Sequence, residues 1–307
     1  MALQRVAAPR VTRTLAALAG ASFALRPLAL PPPERVEFPS LDKDVTIQAV
    51  YFRPPGAAAD KPVPLVVAAH GCGGMYSESP SRGDQLSERS IAWTDMLLAD
   101  GYAVLWPDSF NPRGRRSVCL ARRGEPSITP VTRRLDILGA VAYAASQPGI
   151  DGKRIALLGW SHGGSTTLAT VNGKDLRIAS FFAGSNAPAP LVGAVAFYPG
   201  CVVSLRKGGE WLPSMPLRIH TGELDDWTPS RSCVALGDEA RPRGADMTVT
   251  VYPGAYHGFD APRGRMRVWK EVTTGANPDK GVTLAPDPAA RDAATQSVRA
   301  FLKERLQ

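Results

Sequence analysis

The sequence predicts an α/β fold: a mainly parallel central sheet of about seven or eight strands with helices on both faces. Two observations carry this. Short apolar runs of strand length alternate with longer segments of helical spacing along most of the chain. The 29 Gly and 28 Pro are scattered between these runs rather than gathered in one tract, so they read as tight turns. Regular strand–helix alternation implies parallel strands covered on both sides. In such sheets, sites form beyond the carboxyl ends of the strands.

The elements follow in order. Val45–Phe52 reads as an early strand, and Leu65–Ala69 as a buried strand between Pro64 and the Gly71–Gly74 segment. Ser90–Asp100 has helical spacing of Ile91, Met96, Leu97 and Leu98, and Gly101 stops it. Ala103–Trp106 is a strand closed by Pro107, and an arginine-rich loop runs from Asp108 to about Ser127. Thr132–Ser146 is a helix, Ile155–Leu158 a strand and Ser165–Val171 a helix of small residues. Ala194–Tyr198, Leu217–Thr221 and Thr248–Tyr252 are short apolar strands, with a helix at Ser232–Ala240. Ala289–Leu306 closes the chain as a helix with Ala293, Val298, Phe301 and Leu302 on its apolar face.

A length of 307 residues fits one large α/β domain. Residues 1–25 read as an export signal: Arg10 and Arg13 precede an apolar stretch from Leu15 to Leu25, with small residues near Ala19, Ala21 and Ala24. The stretch is too short to span a bilayer, which needs ~20 residues. The two arginines are not adjacent, so a twin-arginine signal is not supported. Residues 26–39, with Pro31, Pro32 and Pro33, read as a spacer, and 40–307 as the folded α/β domain. Removing Arg5, Arg10 and Arg13 from the net charge of +8 leaves +5. No basic run interleaves with aromatics, so the composition does not point to nucleic acid. Cys72, Cys119, Cys201 and Cys233 form an even set that permits three pairings, and two disulfides are expected in an oxidising compartment. The absence of C-x-x-C spacing and a total of four His argue against zinc.

The chemistry starts after the strand Ile155–Leu158. Gly159-Trp160-Ser161-His162-Gly163 is a G-x-S-x-G pattern between a strand and a helix. The sharp turn strains the serine and leaves little room beside it, which the glycines supply. Ser161 is the candidate nucleophile. A serine hydroxyl needs a base, and His257 follows the strand Thr248–Tyr252. His70, His162 and His220 are weaker competitors. The base needs a carboxylate. Glu223, Asp225 and Asp226 all follow Leu217–Thr221; Asp225 is the first choice, Asp226 the second and Glu223 the third. The order nucleophile, acid, base suits this architecture. A tetrahedral intermediate needs two N–H donors. One is the backbone N–H of His162; the other is assigned to Cys72 in His70-Gly71-Cys72-Gly73-Gly74, with Gly71 as the alternative. Arg113 in the basic loop is a candidate for binding a substrate carboxylate, and Trp160 a candidate substrate contact.

With His70–Gly74, Gly159–Gly163, Gly222-x-x-Asp225 with Pro229, and His257-Gly258-Phe259, the chain resembles the dienelactone hydrolase family of α/β-hydrolases over roughly residues 40–305. The resemblance implies the α/β-hydrolase fold and supports Asp225 over Asp226. Dienelactone hydrolase itself uses a cysteine where this chain has Ser161, which moves the expected reaction toward general carboxylic ester or lactone hydrolysis; the alternatives are a peptidase of the prolyl-oligopeptidase type and a non-catalytic exported binding protein that keeps the hydrolase fold. A similarity to an exported subgroup implies pairing of Cys72 with Cys119 and of Cys201 with Cys233. The expected partner is a small-molecule ester or lactone. No cofactor, metal, nucleic acid or stable membrane insertion is expected.

Overall fold

In the computed structural model, the described residues are 30–42, 44–121, 128–184 and 187–307. The expected export signal and the start of the spacer lie outside them.

Eight strands form one sheet in the order β1-β2-β4-β3-β5-β6-β7-β8. They are β1 (Glu34–Pro39), β2 (Thr46–Phe52), β3 (Val63–Ala69), β4 (Ala103–Asp108), β5 (Ile150–Trp160), β6 (Gly193–Phe197), β7 (Leu217–Gly222) and β8 (Met247–Tyr252). From β4 through β8 the neighbours are parallel, while β1 and β2 run antiparallel at one edge. Among the described residues, seven α-helices accompany them: α1 (Glu88–Ala99), α2 (Pro130–Ala145), α3 (His162–Thr170), α4 (Leu176–Ala183), α5 (Val202–Arg206), α6 (Ser230–Ala240) and α7 (Pro288–Leu306). A small ribbon pairs β9 (Arg267–Trp269) with β10 (Val282–Leu284).

The two-residue period of the strands divides the core. Leu65, Val67, Leu157 and Ile219 join one apolar cluster with Ile137 and Val141 of α2 and Leu236 of α6. Val66, Ala68, Leu158 and Val195 face the opposite way, toward Leu97 of α1 and Val298 and Leu302 of α7. Both faces are covered, as the unbroken apolar runs require. Caps define the helix starts. Ser87, Thr129 and Asp287 each accept a hydrogen bond from the backbone N–H three residues on, at Ser90, Thr132 and Ala290.

Three features depart from the sequence reading. Strand β1 lies inside the stretch assigned to the spacer; its side chains are mostly exposed, so apolar patterning could not reveal it. Helix α4 is only 8 residues long, with Ile178 its single buried residue. Strands β9 and β10 have 3 residues each. Cys72 is joined to Cys119 and Cys201 to Cys233, leaving no free cysteine. Among the described residues, no helix is long and apolar enough to cross a membrane.

Candidate active site

The strand ends carry the site. Strand β5 stops at Trp160, Ser161 turns the chain and α3 begins at His162. Ser161 has φ 52° and ψ −114°, a conformation that L-residues avoid. Such strain costs about 1–3 kcal/mol and persists only where the surroundings impose it. Here the Ser161 N–H donates to the Phe197 carbonyl at 2.9 Å, and the Ser161 carbonyl accepts from Ser165 N–H at 2.8 Å.

The flanking glycines are required by contact. A Cβ on Gly163 would lie 1.9 Å from the Ala69 carbonyl oxygen and 2.5 Å from that of His70. One on Gly159 would lie 2.4 Å from the Gly163 carbonyl oxygen. The α3 helix thus packs directly on the end of β3. Because the obstructing atoms are backbone, Gly163→Ala is expected to cost at least about 3 kcal/mol, read as a lowered urea midpoint of unfolding.

His257 follows β8 and bridges two partners. Its Nε2 lies 2.9 Å from Ser161 Oγ, and its Nδ1 lies 2.8 Å from Asp225 Oδ2. With the proton on Nδ1 donated to the carboxylate, Nε2 is free to accept from the serine hydroxyl. Asp225 and His257 are both buried. Asp225 Oδ1 accepts from the backbone N–H groups of Trp227 and Thr228, at 2.9 and 2.8 Å. Its Oδ2 accepts from Thr228 Oγ1 at 3.0 Å. The other two acids of this turn are engaged elsewhere. Asp226 accepts from the N–H and hydroxyl of Thr283, both at 2.7 Å, and so ties the turn to β10. Glu223 accepts from Gly254 N–H at 2.9 Å.

The remaining histidines are held neutral, His70 and His220 in the interior and His162 partly buried. Burial and the nearby Arg133 guanidinium lower His162 to about 3. Arg133 Nη1 donates to His162 Nδ1 at 2.9 Å, so the ring proton sits on Nε2. His70 is pushed well below its usual range, chiefly by burial and then by Arg133. Its Nδ1 donates to the Gly71 carbonyl at 2.8 Å. Burial lowers His220 to about 4. The sign of the pH effect follows. Below the ordinary value of 6.5 the unfolded chain binds protons at these three positions that the folded chain refuses. Stability is therefore complete above pH 6.5 and falls as pH drops toward about 4. Unfolding midpoints at pH 7 and pH 5 check this.

The segment after β3 lies across from the serine. A Cβ on Gly71 would rest 3.6 Å from the Trp160 carbonyl oxygen and 3.8 Å from Ser161 Cβ. Cys72, Gly73 and Gly74 line a cleft of about 670 Å3 that Ser161 and His257 also border. The disulfide to Cys119 and a hydrogen bond from Val118 N–H to the Cys72 carbonyl (2.8 Å) pin this segment.

Two expected substrate contacts are corrected. Arg113 does not line the cleft. Its guanidinium donates to both carboxylate oxygens of Asp136 at 2.9 and 3.0 Å, to Asp42 at 3.0 Å and to the Ser109 carbonyl at 2.8 Å. The two-pronged fit expected for a substrate carboxylate is occupied by the protein's own Asp136, whose side chain is wholly buried. Arg113→Ala is therefore expected to lower stability by about 3 kcal/mol, because it strands that carboxylate. It should leave the rate ratio between anionic and neutral esters unchanged. Trp160 borders the cleft, but its indole is buried. It stacks between Trp106 and Phe197 at centroid distances of 5.3 and 5.9 Å, and its Nε1–H donates to Asp260 at 2.9 Å. Its side chain belongs to the core.

Sequence reasoning missed Thr228, which supports both Asp225 and His257 (3.1 Å to Nδ1), and Tyr198, whose ring lies 4.5 Å from the His257 ring. Thr228 is three residues beyond Asp225, the one signal that could have found it.

The parallel sheet, the strained serine turn after β5 and the histidine beyond β8 define an α/β-hydrolase architecture. The dienelactone hydrolase family model matches residues 47–305, and the chain belongs to that family. A probable dipeptidyl-aminopeptidase B of Grosmannia clavigera is 26% identical over 242 residues, which is 72% of this chain but 23% of that protein. The chain thus spans about a quarter of this curated relative. Among solved structures, a dienelactone hydrolase-like promiscuous phosphotriesterase from metagenomic libraries superposes with a TM-score of 0.63 at 18% identity, covering 91% of this chain and 100% of the other. Thermogutta terrifontis esterase 2 gives 0.61 at 17% identity, covering 91% and 96%. At these identities the likeness is one of fold.

Proposed function

We propose that the protein is a serine hydrolase of carboxylic esters or lactones that works through an acyl-enzyme on Ser161. The observation that carries this reading is the continuous line Ser161–His257–Asp225, with Ser161 at a cleft large enough for a small molecule. In this reading His257 Nε2 takes the Ser161 proton as Oγ attacks the acyl carbon. Asp225 holds the Nδ1–H tautomer and stabilises the imidazolium. The backbone N–H groups of His162 and Cys72 receive the oxyanion; neither has a hydrogen-bond partner among the described residues. The carbon–oxygen bond to the alcohol breaks as His257 returns the proton to that oxygen. Water, deprotonated by the same Nε2, then attacks the acyl-enzyme and releases the acid and free Ser161. The scheme requires no cofactor.

The two disulfides suit an oxidising environment. With the apolar, arginine-led N-terminal segment they support export to the periplasm or exterior.

A second reading, peptide-bond cleavage, is favoured by the relative named a dipeptidyl-aminopeptidase. A rate panel separates the two, using p-nitrophenyl esters of graded acyl length, simple lactones and dipeptidyl p-nitroanilides. The ester reading expects kcat/KM on the best ester or lactone to exceed that on any anilide. The reverse order would establish the peptidase reading.

A further inference from the structure

We propose that Asp260 is a positioning residue for Ser161 and His257. Its buried carboxylate ties together the elements that carry the nucleophile and the base. The inference rests on the reading that these two residues perform the reaction.

The side chain of Asp260 has no exposure. Oδ1 accepts from Tyr198 Oη at 2.6 Å and from Arg89 Nε at 3.1 Å. Oδ2 accepts from the indole N–H groups of Trp160 and Trp93, at 2.9 and 3.0 Å. Four donors thus converge on one carboxylate. Stability is a poor explanation for it, since a buried ion pair is often replaceable by apolar packing without loss. The placement of its partners supplies a better one.

Trp160 immediately precedes Ser161 and ends β5. Tyr198 follows β6, and Arg89 and Trp93 lie on α1. Asp260 itself stands three residues beyond His257, past Gly258, whose φ of +74° sets the turn. A Cβ on Gly258 would lie 3.3 Å from Arg89 Nη2, so Arg89 covers the His257 turn. Tyr198 also packs against this histidine. Its ring lies 4.5 Å from the imidazole, and its carbonyl oxygen lies 3.0 Å from Thr228 Oγ1. Tyr198 also has a positive φ of 35°, a conformation its bonds must hold. Freeing Asp260 would loosen the immediate neighbours of Oγ and Nε2 together. Placement errors near 1 Å cost about 10²-fold in rate.

The test compares Asp260→Asn and Tyr198→Phe with Asp175→Asn. Tyr198→Phe keeps the ring against His257 and removes only the hydroxyl. Asp175 pairs with Arg134 at 2.6 Å and does not line the cleft, so it controls for loss of a structural ion pair. Each variant is assayed for kcat and KM on p-nitrophenyl acetate, for the rate of fluorophosphonate labelling and for Tm. We expect Asp260→Asn to lower kcat and labelling about 10- to 100-fold, with KM within twofold of wild type. Tyr198→Phe should change them in the same direction, and Asp175→Asn should leave both within twofold. If Asp260→Asn does not fold, Tyr198→Phe decides. Labelling that survives Ser161→Ala would overturn the underlying reading, and the inference with it. Labelling that depends on Ser161 but stays within twofold of wild type in both site variants would overturn the inference alone. So would an equal loss of kcat in Asp175→Asn.

Discussion

Ser161→Ala is expected to lower kcat on p-nitrophenyl acetate by on the order of 10⁶-fold and to abolish fluorophosphonate labelling. The size follows from the geometry. The hydroxyl is 2.9 Å from its base and sits on a backbone strained to present it. Among the described residues, Ser161 Oγ is the one hydroxyl within hydrogen-bond distance of His257 Nε2, while Thr228 Oγ1 is on the Nδ1 side of the ring, 3.0 Å from Asp225 Oδ2. Removing Oγ should relieve no packing, because Ser161 is only half-buried at the cleft. Tm is therefore expected to stay near the wild-type value, which separates lost chemistry from lost fold. A residual rate above the uncatalysed reaction, about 10³-fold, should remain from oxyanion donors and substrate binding. Labelling that persists in this variant would remove Ser161 from the reaction.

Asp225→Asn is expected to lower kcat by about 10⁴-fold, and Asp226→Asn by no more than a few-fold. The two residues are adjacent, yet their surroundings assign them different work. Asp225 Oδ2 faces His257 Nδ1, and its other oxygen is fixed by two backbone N–H groups. An amide nitrogen placed toward Nδ1 would donate and force the ring into the tautomer that cannot accept the serine proton. Asp226 instead anchors Thr283 of β10 through two hydrogen bonds. Its substitution should appear in stability, by about 2 kcal/mol, because a charged acceptor is lost from two donors. Steady-state kinetics and urea unfolding on both variants check the division. A larger kcat loss at Asp226 than at Asp225 would contradict it.

The candidate site was legible because each member is announced locally. Gly159–Gly163 needs glycines for contacts within a few residues of the turn or across to β3, and the motif sits between a strand and a helix. Asp225 and His257 each follow a short apolar strand. The preference for Asp225 over its neighbours rested on the family resemblance, through Gly222-x-x-Asp225. What failed to show was whatever depends on partners remote in the chain. Arg113 read as a free arginine in a basic loop, but Asp136 and Asp42, which occupy it, come from α2 and from the turn after β1. Trp160 read as a cleft residue by its place beside Ser161, while its indole is turned under the sheet edge toward Asp260. Asp260 carried no local signal, since its donors come from α1, β5 and the end of β6.

The sequence by itself determined strands β2 to β8 and the helices α1, α2, α3, α6 and α7 that accompany them, the glycine-flanked serine turn and the chain order of Ser161, Asp225 and His257. These follow from apolar periodicity and from backbone sterics, which act over a few residues. Only the tertiary structure decided which ionised groups are used internally and which face the cleft. A carboxylate or guanidinium must be paired once it is buried, and the pairing partner is set by how the sheet brings distant segments together.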